Sequence, residues 1–216
     1  RDDLVTGVQT CALPISRTMP DLQKTALVLI GFQNDYFADD GVLHGVIEDS
    51  SQYADVLDNT IALVERWVET PATVIATPIV FTPSYEELVD PVGILKLVAD
   101  RQAFQEGTRG VATIDRLAAF VDRQQVREVY GKRGLNAFAN TGLDEVLKKA
   151  GIESIVLAGA VTSVCIDSTG RSAHERGYQV SILSDCIVSR TTLEQEFYVE
   201  NVFPLYANVL TSSELL

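Results

Sequence analysis

Histidine is almost missing from this sequence: there are two in 216 residues, His44 and His174. Neither has a partner at metal-ligand spacing, so no metal centre is expected. Cysteine is scarce too. Cys11, Cys165 and Cys186 follow no metal-binding pattern and leave one thiol unpaired, which favours a reduced, cytoplasmic setting over a disulfide scaffold. Basic residues are outnumbered, 17 Lys and Arg against 30 Asp and Glu, for a net charge of −13. That balance offers no electrostatic footprint for nucleic acid or an anionic membrane. No apolar run approaches the length needed to cross a bilayer.

Methionine occurs once, at Met19, just before the first plausible structural element. The first sixteen residues, RDDLVTGVQTCALPIS, lack the basic start and long apolar stretch of a secretory signal. They read as translated sequencing-adapter material. Residues 1–18 are therefore expected to be extraneous or disordered, and 19–216 to form one domain. A hydrophobic content of 46% with 22% charged residues is enough for a sizeable core.

From Thr25 onward, short apolar runs alternate with longer helical patterns, which is the βαβ signature. Strands are expected at Thr25–Ile30, Thr73–Phe81, Arg127–Tyr130, Ser154–Ala158, Gln179–Leu183 and Tyr206–Leu210. Pro78 warns of an early end to the second. Helices are expected at Tyr53–Val68, Ile94–Val98, Ile114–Val121, Leu143–Lys149 and Leu193–Val202. Right-handed crossovers would wind the strands into a doubly wound, Rossmann-like, six-stranded parallel sheet with helices on both faces.

The stretch SIVLAGAVTSVCIDSTGRSAHERGY, Ser154–Tyr178, concentrates the chemistry. Gly159 breaks a buried strand, Thr162 and Ser163 can cap a helix, and Gly177 can end it. Cys165 then falls near the first turn of a helix leaving the carboxyl end of a strand, where open α/β sheets place ligands. The helix dipole and free N–H groups there favour a thiolate. A small buried core residue is the competing reading. Lys132 follows the third strand and, beside a thiol, would promote ionisation and stabilise an oxyanion; alone, it is a solvated lysine in a turn.

Three segments, LVLIGFQNDYF, KRGLNAFANTGLDEVLKKAGI and GAVTSVCIDSTGRSAHERGY, in that order resemble the isochorismatase-like cysteine hydrolases. That family includes nicotinamidases and N-carbamoylsarcosine amidohydrolases. The resemblance spans nearly all of Thr25–Leu216. It implies cleavage of an amide or ureido C–N bond of a small molecule by an Asp–Lys–Cys triad, without a cofactor, in a homo-oligomer. By position, Cys165 is the nucleophile and Lys132 the triad lysine. Ala160–Val161 is the cis peptide, and the N–H groups of Val161 and Cys165 form the oxyanion hole.

The sequence departs from this pattern where the first strand ends, since Gly31 occupies the triad aspartate position. Asp35 is a possible substitute acid or base, as are Glu86, Glu87 and Asp90, while Tyr36 or Gln33 could position a water. The glycine would also open space for a substrate carboxylate, and Gly31→Asp would raise turnover if the missing carboxylate is limiting. The departure sustains a second reading, an impaired relative acting as a binding or structural oligomer subunit. A third is a cysteine phosphatase, since Cys165–Arg171 followed by Ser172 fits C-x5-R-[ST], with an Arg171–Glu175 pair as the helical alternative. Neither histidine suits a nicotinamidase-type metal site. Arg101 and Arg109 are candidates to meet a substrate carboxylate. Cys186 is expected to be structural, and Phe197, Tyr198, Phe203 and Tyr206 to lie in the core or a subunit interface.

Overall fold

The computed structural model describes residues 21–48 and 51–215, so the expectation for residues 1–18 lies outside the described residues. Six strands, β1 (Thr25–Ile30), β2 (Thr73–Thr77), β3 (Arg127–Glu128), β4 (Ser154–Ala160), β5 (Gln179–Val188) and β6 (Asn208–Leu210), form one parallel sheet. The order is β3-β2-β1-β4-β5-β6. Helices are α1 (Asn34–Phe37), α2 (Ser51–Trp67), α3 (Gly93–Asp100), α4 (Asp115–Asp122), α5 (Leu143–Lys149), α6 (Asp167–Glu175), α7 (Thr192–Phe197) and α8 (Ser212–Leu215).

The run TALVLI makes β1 central because every residue is apolar or buried on one face or the other. Leu27 and Leu29 pack with Val156, Leu183 and the α2 stripe of Val56, Ile61, Val64 and Trp67. Ala26 and Val28 face the opposite way, with Ile155, Leu157, Leu143 and Leu147 of α5, and Ala173 of α6. The sheet is therefore covered on both faces. The chain winds outward from β1 through β2 to β3, then crosses back to β4 beside β1. The carboxyl ends of β1 and β4 form the topological switch point, the crevice where such sheets bind ligands.

Several expected boundaries move, among them the end of β4, which runs on to Ala160, and the start of β6, at Asn208. Strand β2 stops at Thr77 because Pro78 cannot donate to the ladder. Only two residues of β3 pair. Strand β5 runs on to Val188 through an irregularity opposite Leu157 and Gly159. The expected helix Leu193–Val202 divides into α7 and a wide π turn, Tyr198–Val202.

Candidate active site

Strand β4 ends at Ala160, and the Ala160–Val161 peptide bond is cis. Residues Thr162–Ile166 then make one π turn before α6, a wider geometry than the expected ordinary helix start. The N–H groups of Val164 and Ile166 both donate to the Val161 carbonyl, at 3.0 and 3.2 Å. Cys165 is carried on this turn with 2% of its surface exposed. Gly159 makes the approach to β1 possible, since a Cβ there would lie 1.8 Å from the Ile30 carbonyl oxygen. Lys132, which follows Gly131 beyond β3, is fully buried. Its Nζ donates to the Gly134 carbonyl at 2.6 Å and reaches Cys165 Sγ at 3.4 Å. Among the described residues Lys132 has no ion-pair partner. A buried ammonium without a carboxylate is costly, so the sulfur is the group placed to compensate it.

The end of β1 is built differently from what its sequence suggested. Gly31 turns the chain at φ +72°, and a Cβ there would sit 2.9 Å from the Ala160 carbonyl oxygen and 3.5 Å from Cδ2 of Tyr36. The adjoining cavity is about 10 Å³, room for no more than a water, so no substrate carboxylate enters beside the glycine. The Asp35 carboxylate is engaged by a distant loop. It accepts from the Phe104 N–H at 2.5 Å and packs against Gly110, anchoring that loop. Burial pushes the Asp35 carboxyl above its ordinary value despite the N–H groups of Phe104 and Val42. Gln33 is also committed: Nε2 donates to the carbonyls of Ile79 and Val111, and Oε1 accepts from the Ile79 N–H. Tyr36 is 2% exposed, and its phenol is raised well above its ordinary value, first by burial and then by Cys165.

A cavity of about 740 Å³ opens onto the cysteine turn, where Val161, Ser163 and Val164 form one wall. Leu43, Leu97 and Tyr198 supply apolar surface, and Arg101, Arg190 and Glu194 the charge. Arg101 donates to the Val42 carbonyl at 3.3 Å, whereas Arg109 is paired with Asp40 at 2.7 Å, away from this cavity. Arg190 and Glu194 form an ion pair at 2.9 Å. Burial opposes ionisation of Glu194, yet Arg190 and the nearby Ser163 hydroxyl hold its carboxyl below the usual range. Thr162 Oγ1 donates to Gln195 Oε1 at 2.7 Å, and Gln195 Nε2 donates to the carbonyls of Ser184 and Ile187. Thus α7 braces the cysteine turn. Sequence reading missed Arg190, Glu194 and Gln195. A threonine cap at Thr191 with Glu194 three residues on was the available signal, but it marks a helix start and says nothing of Thr162.

The isochorismatase domain model matches residues 25–214. The chain belongs to the isochorismatase family. The isochorismatase family protein YwoC of Bacillus subtilis (strain 168) is 29% identical over 199 residues, covering 91% of this chain and 94% of YwoC. The ureidoacrylate amidohydrolase RutB of Methylorubrum extorquens is 27% identical over 177 residues, 76% of this chain and 70% of RutB. A cysteine hydrolase structure from Pseudomonas syringae pv. phaseolicola superposes with a TM-score of 0.80 at 20% identity, covering 94% of this chain and 96% of that one. At that identity the likeness shows the fold.

Within this isochorismatase-family fold the phosphatase reading fails. Residues 162–175 are helical, so no loop of amides cradles an anion, and Arg171 is drawn to Asp167 at 3.0 Å and over the Tyr206 ring. The anticipated Arg171–Glu175 pair is replaced by that i,i−4 pair. Glu87 caps Thr82 through its N–H at 3.0 Å and meets Arg133 at 3.2 Å. His44 stacks on Tyr53, and His174 lies 6.2 Å from the Tyr206 ring. Among the described residues no three His, Cys, Asp or Glu side chains group as metal ligands. Nor is any described helix long and apolar enough to cross a membrane.

Proposed function

We propose that the protein hydrolyses an amide or ureido C–N bond of a small molecule through a thioester on Cys165. The observation that carries this reading is the buried contact between Lys132 Nζ and Cys165 Sγ, 3.4 Å apart, at the switch point of the sheet. The sulfur attacks the carbonyl carbon, and the N–H groups of Val161 and Cys165 receive the oxyanion while Lys132 balances the charge. Loss of the amine leaves a thioester, which water hydrolyses. The relatives support the bond type, since RutB is an amidohydrolase acting on ureidoacrylate. The cavity at the cysteine turn has the volume of a small-molecule site.

The test is Cys165→Ala, assayed on a panel of simple amides and ureido acids. The expected result is a loss of at least about 1,000-fold in kcat with folding intact. Retained turnover would sink the reading. Gly31 favours one rival, a relative that binds such molecules without cleaving them. That rival predicts saturable binding of the panel with no product in either protein.

A further inference from the structure

We propose that Lys132 is itself the proton carrier, so that Cys165 and Lys132 work as a dyad in place of a carboxylate-dependent triad. This deepens the hydrolase reading above and rests on it. The nucleophile's proton needs an acceptor, and the carboxylates the sequence offered are otherwise engaged or, like Glu86 and Asp90, exposed at the surface while Cys165 is buried. The Gly31 position has no side chain, and the Ala160 carbonyl and the Tyr36 ring close the space beside it. Asp35 is tied to the Phe104 N–H, Glu87 to Thr82 and Arg133, and Glu194 to Arg190. Tyr36 is a buried phenol that holds its proton and so is no base for the thiol. Among the described residues, the basic nitrogen in contact with the Cys165 sulfur is Lys132 Nζ, fully buried, with its other described partner a carbonyl.

Nζ takes the proton from Sγ, leaving an ammonium–thiolate pair. The thiolate forms the C–S bond, and the carbonyl electron pair moves onto oxygen. As the carbonyl re-forms, the C–N bond breaks with its electrons on nitrogen, which takes the proton from Nζ and leaves as the amine. Neutral Nζ then removes a proton from water, the hydroxide attacks the thioester carbon, and the C–S bond breaks to give the thiolate. The thiolate recovers the proton from Nζ, and the acid departs. The sum is amide plus water giving acid plus amine. A lysine that only stabilised charge would never exchange a proton, and that difference is measurable.

The experiment compares wild type with Lys132→Ala, each alone and with added methylamine or guanidinium. Two quantities are read, the rate of Cys165 alkylation by iodoacetamide and the turnover of the amide panel. The dyad predicts that Lys132→Ala loses amide turnover by about 100-fold or more. Methylamine restores part of it and guanidinium, a cation that does not release a proton, restores none. Equal rescue by both cations, or unchanged turnover in Lys132→Ala, would overturn the dyad while leaving the hydrolase reading in place. If no amide is cleaved by wild type, yet Cys165 alkylation depends on Lys132 and is rescued by methylamine alone, the hydrolase reading fails and the proton pair stands. Circular dichroism of Lys132→Ala, with methylamine rescue itself, separates lost chemistry from lost folding.

Discussion

Gln33 and Ile79 exchange a pair of hydrogen bonds: Nε2 donates to the Ile79 carbonyl, and Oε1 accepts from the Ile79 N–H, both at 2.8 Å. A third bond, to the Val111 carbonyl at 2.7 Å, makes this buried amide a pin between the ends of β1 and β2 and the loop beyond. Replacing it with Gln33→Leu takes the partner from the two buried backbone groups of Ile79, at about 1–3 kcal/mol each before relaxation, and from the half-buried Val111 carbonyl. A loss of at least about 2 kcal/mol in urea unfolding is the expected outcome. A variant within 0.5 kcal/mol of wild type (about one side chain's surface effect) would mean that water replaces the amide.

What was legible follows from how local the signal is. The limits of β1 and α5 could be read directly because an apolar run or a short helix bounded by glycine carries its own boundary. Cys165 and Lys132 were legible as residues following strands, and the topology brings their positions together. Strand β5 was expected to end at Leu183, where the apolar run gives way to the polar pair Ser184 and Asp185, but it continues to Val188. In the fold that pair sits in the irregularity facing β6 and α8, where Ser184 donates to Leu210 and Asp185 accepts from Ser212. Asp35, four residues beyond Gly31, was plausible as an acid by distance along the chain. Its direction is set by a loop about 70 residues away, the separation of the Phe104 contact, and nothing local encodes that.

Restoring an aspartate at position 31 will not raise turnover. The sequence suggested a gain, but the backbone there has φ +72° and the new Cβ would press on the Ala160 carbonyl oxygen at 2.9 Å. A left-handed conformation costs a non-glycine residue about 1–2 kcal/mol, before that contact is relieved. Gly31→Asp is expected to unfold at lower urea and to show amide turnover at or below wild type. Higher turnover at unchanged stability would show that the turn relaxes to admit the carboxylate.

Cys186 gives the stability an alkaline edge. The side chain is fully buried in β5, and burial, with Asp185 adding to it, pushes the thiol up to about 12 from 9.0. The native state therefore favours the neutral thiol more than the unfolded chain does. Its contribution is complete below pH 9.0, the ordinary value, and declines as pH rises toward about 12. The slope contributed by this one group approaches about 1.4 kcal/mol per pH unit. Urea midpoints measured across that range should fall more steeply for wild type than for Cys186→Ala. Parallel curves would remove the thiol from the account. In native protein at neutral pH, Cys186 should also resist alkylation while Cys165 reacts.

The brace from α7 should act on the chemistry more than on the fold. Thr162 opens the π turn three residues before Cys165, and its hydroxyl donates to Gln195 at 2.7 Å. The same amide donates to the carbonyls of Ser184 and Ile187, at 3.3 and 3.2 Å, so its orientation is held by β5 independently of the turn. Gln195→Ala frees the turn that aligns Sγ with Nζ, and misplacement by an ångström at a reacting centre costs about 100-fold in rate. We expect kcat for amides to drop by about that factor with KM little changed, because Gln195 does not line the cavity. Gln195→Glu keeps an acceptor for Thr162 and should retain more of the rate than alanine. If alanine and glutamate were equally impaired, the bonds to Ser184 and Ile187 would be the ones that matter, and the effect would then appear as lost stability of β5.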